Sequence, residues 1–492
     1  MKDLSGITEK ISDRALWMEK DNLMICSFRL ANFVRARYSP KNKMRSLVKY
    51  ILEWVSDEEI NTDTVKDYYE IKGLNKFSRI SEEEFASELK ESAKTSLQWF
   101  KNSGIIINQG RDGVYEGFGT EVYPDGSQRF AKLIRADCAG EISLTYFLDY
   151  MLNDNENSLE ISDNLSSFIF DYMQEKDKNE FYGMIRWTQQ AWETCYQDDV
   201  ARALNSHLLK CLYTGRNDYI EECKAALDFL IKTTGTDGTR VMRTDNRELT
   251  EEKINELHNQ PGNLKSAHYN AYYHASLLLA YKLTGIEKYK DISVKGLTEI
   301  MKVYPETVRE QSQTQEYCRL ILPLSWLYWI TKEDIHKEWL YKVSKDLQQL
   351  KHKTGAYLEW DEGYKATMRN TKGDGECSLL AENGDTVVDL LYSNNWLPIG
   401  FMQAYLVTGD EYFKSLWQEN IKFILGIQII SDDPRINGVW GRGFDVEYME
   451  YFGSPADIGW GPWAIESGWT VAEILSGIFM GILQDKLKPF YD

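Results

Sequence analysis

An all-α ring, the (α/α)6 toroid, is the fold class this 492-residue sequence predicts, and three observations predict it. First, a helix–turn–helix unit recurs. Segments 212–231, 281–301 and 405–425 each run an apolar helix into a Thr-Gly turn, place an aromatic four residues past the Gly, and continue into a charged helix; segment 329–350 repeats the unit without the Gly. The Gly is a helix-terminating residue free to take the left-handed conformation. Second, the two helices of each unit differ in kind. The first is apolar nearly all round, as in ILPLSWLYWI and YYHASLLLAY, and the second carries its charges on one face. A helix apolar all round is enclosed by neighbours, whereas an amphipathic one keeps a wet side, so the first kind forms an inner ring and the second an outer ring. Third, the units close into a circle of six.

Taken in order, residues 21–37 and 43–55 are expected to form a helix pair in an N-terminal helical extension, 1–80, packed on a toroid domain, 81–492. The amphipathic segment 84–102 supplies an outer helix that partners the last inner one and so joins the two ends of the chain. Residues 110–130, rich in Gly and Asp, read as a hairpin. Inner helices are expected to begin near 137, 196, 267, 314, 390 and 464, and outer ones near 158, 217, 287, 333 and 411. A ring of seven hairpins and an open helical solenoid are the alternatives. Connections 233–265, 351–389 and 429–463 are long and fall at the end of the ring where inner helices start. Long loops in a compact domain are usually functional, which locates the site.

Composition narrows the function. The net charge of −19 argues against nucleic acid and against anionic membranes, since both require a basic surface. The longest apolar run, 321–330, is half of what a membrane span needs. Seven scattered cysteines without a C-x-x-C pair read as reduced thiols, and residues 1–26 lack the apolar core of a signal peptide, so a cytoplasmic protein is expected. There is no H-E-x-x-H, Cys/His cluster, P-loop or dinucleotide fingerprint, and neither a metal nor a cofactor is expected. The chain carries 15 Trp, 30 Tyr and 19 Phe, many beside Gly, Asp, Glu and Asn. Aromatic faces against sugar rings, with carboxylates and amides on the hydroxyls, make an oligosaccharide the expected ligand.

Polar groups gather at the inner-helix starts: Arg135, Asp137 and Glu141; Asp198, Asp199 and Arg202; His268; Glu316 and Arg319; Asp389, Asn395 and Trp396; Trp460, Trp463, Glu466 and Trp469. Asp and Glu favour helix N-termini as caps in any protein. Acidic groups at five of six starts, mixed with arginines and aromatics, exceed that expectation. Glycoside cleavage needs one protonated and one ionised carboxyl, and a crowded acidic pocket separates their proton affinities. Asp198, Asp199, Asp137, Glu141, Glu316 and Glu466 are therefore the catalytic candidates. Arg135, Arg202, His268, Arg319, Asp389, Asn395, Trp396, Trp440, Arg442, Trp460 and Trp463 are the substrate-binding ones, with the Trp-rich 437–470 stretch as a sugar platform. His274, on an apolar helix, reads as a core residue.

The blocks IRADCAGEI (134–142), YQDDVAR (196–202), QTQEYCRLILPLSWL (313–327), ENGDTVVDLLYSNNW (382–396) and GWGPWAIESGWT (459–470) together resemble bacterial six-hairpin glycosidase-like proteins. Among named groups the chain resembles glycoside hydrolase family 154, which acts on glucuronides, and more distantly the unsaturated glucuronyl hydrolases of families 88 and 105. The resemblance implies an (α/α)6 fold and release of a terminal uronic acid. In the unsaturated glucuronyl hydrolases an Asp at an inner-helix start protonates the substrate. Asp198-Asp199 is the nearest match by local pattern, with Tyr196-Gln197 standing in place of the W-x-D context of those enzymes. The arginines suit a substrate carboxylate because the guanidinium fork binds it through two parallel hydrogen bonds. The sequence reading is thus an intracellular glycoside hydrolase on short, uronic-acid-bearing oligosaccharides. A lyase using His268, Tyr196, Tyr269 or Tyr273 as base, an epimerase, and a non-catalytic sugar-binding protein are its rivals. The oligomeric state is not readable from the sequence.

Overall fold

The computed structural model of the protein describes residues 16–26, 41–62, 64–123, 126–366, 378–453 and 459–492. Helix α1 (Lys41–Ser56) precedes the ring. The ring is built from α2 (Glu82–Asn102), α3 (Ala136–Asn153), α4 (Glu156–Ser167), α5 (Gln197–Thr214) and α6 (Ile220–Lys232). After a connecting helix α7 (Glu251–Asn259) it continues through α8 (Ala267–Thr284), α9 (Glu287–Val303), α10 (Gln313–Thr331) and α11 (Asp334–Gln348). It ends with α12 (Leu397–Thr408), α13 (Glu411–Ile427) and α14 (Glu473–Ile482).

Helices α3, α5, α8, α10, α12 and α14 each pack on the next, and α14 returns to α3, closing an inner ring. Their burial follows from their composition: α3 is buried continuously from Ala136 to Asp149. The outer helices bury one stripe each. In α9 it is Tyr289, Ser293, Gly296, Leu297 and Ile300, spaced as one face of a helix. Helix α2 packs against α14, so the two ends of the chain complete the sixth hairpin. The Thr-Gly turns behave as expected: Gly215, Gly285 and Gly409 end α5, α8 and α12 at φ 67–70°, and each donates its N–H to the carbonyl four residues back. Tyr289 and Phe413, the aromatics four residues on, are fully buried.

Short strand pairs set the inner-helix starts. Strands β1 (Tyr115–Val122) and β2 (Gln128–Ile134) form the expected hairpin, which runs into α3. Strand β3 (Thr194–Tyr196) pairs with β4 (Arg243–Asp245) and runs into α5. Strand β5 (Val387–Asp389) pairs with β6 (Gly443–Asp445) ahead of α12. Strand β7 (Ile465–Glu466) adds to β1 ahead of α14, with Glu466 opposite Gly117. A Cβ at Gly117 would lie 2.1 Å from the Ile465 carbonyl oxygen, so only glycine permits this approach.

One sequence expectation fails at the N-terminus. Residues 16–26 are not helical: strands Leu16–Lys20 and Leu23–Cys26 pair antiparallel across Asp21-Asn22, a two-residue loop of the residue types such turns favour. Residues 27–37 of the expected helix, Cys377 and Asp457 lie outside the described residues. The last inner helix also starts late. Residues 467–472 form a π-helical turn before α14, and a 3-10 turn, Asn394–Trp396, precedes α12. No described helix is long and apolar enough to cross a membrane.

Candidate active site

The first two inner helices present an ionic cluster. Arg135, just before α3, donates to Asp137 through Nε (3.1 Å) and Nη2 (2.8 Å), to Glu116 of β1 (2.7 Å) and to Asp199 (2.6 Å). Arg202, one turn into α5, donates to Asp137 and Asp199 (both 2.6 Å) and to Glu141 (3.3 Å). Trp469, in the π-helical turn, donates its indole N–H to Asp137 (2.7 Å) and lays its ring 3.5 Å from the Arg202 guanidinium. Every member is at most 8 % exposed.

Two guanidiniums therefore face four carboxyls, Glu116, Asp137, Glu141 and Asp199, and cannot neutralise them all. Burial alone would raise Asp137, but both arginines and an indole N–H serve it, and it stays ionised, below the usual carboxylate range. Asp199 is pushed well up by burial, then by the charges of Asp198 and Asp137. Glu141 is likewise pushed up by burial, and so is Glu473 of α14, raised to about 7. Glu466 is raised by burial to about 8, beside the Cys138 thiol at 3.0 Å. Ionised and protonated carboxyls thus lie side by side, the division that acid–base chemistry requires.

Asp198 turns the other way, toward α8 and α10. Its Oδ2 lies 3.7 Å from His268 Nε2 and 3.6 Å from Arg319 Nη2, and its Oδ1 is buried without a partner. His268 Nε2 also contacts Glu310. Gln315 Oε1 accepts from the Gln311 N–H (2.9 Å), which turns its amide nitrogen toward His268 Nδ1 at 2.9 Å. Nδ1 then accepts from the Gln315 amide, and Nε2 faces the Glu310 and Asp198 carboxyls. Glu316 is occupied as a cap: it accepts from the Ala267 N–H (2.6 Å), the His268 N–H (2.9 Å) and Ser266 Oγ (3.2 Å), holding the start of α8. Arg319 lies between the rings of Tyr272 (4.1 Å) and Trp396 (4.2 Å).

The remaining candidates divide. Asn395 donates to the Trp469 carbonyl (2.8 Å), and Trp396 and Trp469 pack at 5.7 Å, so these three join the centre. Asp389 accepts from the Leu391 and Tyr392 N–H groups and pairs with Arg442 (2.9 Å), which also donates to the Trp460 carbonyl. That pair anchors the turn before α12. Trp440 donates to the Ile424 carbonyl within the core, and Trp463 packs on Tyr69 and Tyr451. Both are fully buried. The expected Trp platform is therefore core at Trp440 and Trp463, while Trp469 and Trp396 reach the centre.

One connected group of polar atoms at the centre has no partner: Asp198 Oδ1, Arg319 Nε and Nη1, Tyr272 OH, Asn395 Oδ1 and Trp396 Nε1. Buried polar atoms are normally satisfied, and such a concentration marks where a ligand or ordered water belongs. Sequence reasoning missed Glu116, Tyr272, Glu310 and Glu473. Glu473 opens α14, after the strand that holds Glu466 and the π-helical turn, so helical spacing gave no signal for it. Among the described residues no group of three or more His, Cys, Asp or Glu is arranged to hold a metal ion. A cavity of about 500 Å³ lined by His207, Lys210 and Tyr219 opens on the outer side of the ring, apart from this cluster.

No family model matches the chain, and no curated protein matches it. Among solved structures, a sugar epimerase from a ruminal bacterium is similar at 13% identity over 80% of this chain and 98% of that one, with a TM-score of 0.57. A D-mannose isomerase is similar at 12% identity over 81% and 97%, with a TM-score of 0.55. Cellobiose 2-epimerase from Bacillus thermoamylovorans is similar at 11% identity over 80% and 98%, with a TM-score of 0.54. At these identities the likeness is one of fold, and it places the chain among (α/α)6 toroids.

Proposed function

We propose that the protein is a carbohydrate-active enzyme, a glycoside hydrolase that releases a terminal uronic acid from short oligosaccharides. One observation carries the reading. Adjacent residues at the start of α5 hold opposite equipment: Asp199 is protonated within the ionic cluster, and Asp198 keeps an unpartnered oxygen among Arg319, His268 and the aromatic rings. Asp199 donates its proton to the leaving glycosidic oxygen, and Asp198 takes a proton from the attacking water. Asp137, Arg135 and Arg202 hold Asp199 in place. Fold relatives that process sugars support a carbohydrate substrate, and the uronic acid rests on the resemblance of the motif blocks to family 154. Six free cysteines among the described residues support a cytoplasmic setting.

Sugar epimerisation is the second reading, favoured by the His268–Glu310 contact and by the activities named for the similar structures. Against it, His268 Nδ1 is already taken by the Gln315 amide. Proton NMR in D2O on glucuronide, galacturonide, unsaturated-uronide and neutral disaccharides separates the two. The hydrolase reading expects free uronic acid, with the first anomer reporting retention or inversion. Exchange of the C–H hydrogen for deuterium at the carbon beside the anomeric centre, with the glycosidic bond intact, would establish the epimerase instead.

A further inference from the structure

We propose that Arg319 is the receptor for the substrate's carboxylate, held between Tyr272 and Trp396 at the centre of the ring. The inference rests on the uronide reading above and deepens it: of Arg135, Arg202, Arg319 and Arg442, the four arginines the sequence singles out, three are already engaged. Arg135 is engaged by Glu116, Asp137 and Asp199, Arg202 by Asp137, Asp199 and Glu141, and Arg442 by Asp389 and the Trp460 carbonyl. Arg319 differs. Its Nη2 donates to the His268 carbonyl (3.0 Å) and lies 3.6 Å from Asp198, while Nε and Nη1 are buried with no partner.

A buried guanidinium with open donors is costly unless polar groups or an anion complete it. The two aromatic faces fix its plane and leave only its edges open, where a carboxylate binds in that plane. Burial lowers its proton affinity below that of an ordinary arginine, as expected of a buried cation short of counter-charge. Tyr272 OH, Asn395 Oδ1 and Trp396 Nε1, also unpartnered, supply the mixed donors and acceptors that sugar hydroxyls need. Arg319 Nη2 lies 3.6 Å from Asp198 Oδ2, so a carboxylate held by Arg319 brings its sugar beside Asp198.

Calorimetric titration of the full-length protein with glucuronate, glucuronamide and glucose tests the inference without requiring turnover. The expected result is at least tenfold tighter binding of glucuronate than of its uncharged analogues. In Arg319→Met that preference disappears, and in Arg319→Lys it is reduced, because the charge remains and the fork is lost. Equal binding of all three ligands by the wild type, or no glucuronate binding, overturns the inference even if Arg319→Met does not fold. An undiminished preference in folded Arg319→Met or Arg319→Lys overturns it too. Arg319-dependent glucuronate binding with no uronide cleaved would sink the hydrolase reading and leave the receptor standing. Cleavage of uronides with selectivity unmoved by either variant would do the reverse.

Discussion

Asp198 and Asp199 are identical in chemistry and adjacent in sequence, yet their surroundings divide them. Asp199 faces α3 and two guanidiniums that Asp137 also claims, and Asp198 faces α8 and α10. Neither fact is legible locally, because Arg135, Arg319 and His268 come from other hairpins. The expected outcome is that Asp199→Asn and Asp198→Asn each fold normally and lower turnover by roughly 10²–10⁴-fold. Because Asp199 acts protonated, its activity falls as pH rises through its raised pKa, so Asp199→Asn should also flatten the alkaline limb of the rate profile. Steady-state kinetics across pH on both variants checks this, and full activity in both would remove the assignment. At the same scale, Glu316, a catalytic candidate by its place at the start of α10, accepts three hydrogen bonds at the start of α8, a contact between hairpins that its local sequence does not show.

At the scale of elements, periodicity located the ring helices well, since burial on one side or all sides is written into spacing along a single helix. The sixth inner helix is the exception. Residues 467–472 take a π-helical turn, which rotates Trp469 toward Asp137 and Arg202. Gly468 makes the turn possible: a Cβ there would lie 2.3 Å from Glu141 Oε2 and 2.8 Å from the Cys138 Cα. Helix α3 cannot yield at a backbone atom. Gly468→Ala is therefore expected to cost about 1–3 kcal/mol and to reduce activity through Trp469. Urea denaturation with a parallel assay measures both, and unchanged stability would mean that the helices part freely here. The N-terminal strands were misread because two short extended runs across Asp21-Asn22 carry too few residues for their period to stand out from a helical surrounding.

For the whole molecule, the defining event is closure. Outer helix α2 opens with a full capping box between Ser81 and Glu84 and packs against α14, about 390 residues later in the chain by simple count from its start. Closure also buries carboxyls that keep protons. Glu466, raised to about 8, and Glu473, raised to about 7, bind a proton more tightly folded than unfolded, where 4.5 is normal. Their contribution to stability is complete below pH 4.5 and is lost as pH climbs toward 7 and 8. Chemical denaturation should find the protein less stable at pH 8 than at pH 5 by a few kcal/mol, with a smaller difference in Glu466→Gln. An unchanged pH dependence in that variant would show Glu466 ionised in the fold. By itself the sequence determined the helical ring, its six-fold count and the inner and outer roles, because each follows from burial patterns along one chain. Only the tertiary structure decided which carboxyls hold protons, which arginines are already paired and which tryptophans are core, because charge and solvation at a point depend on every hairpin that meets there.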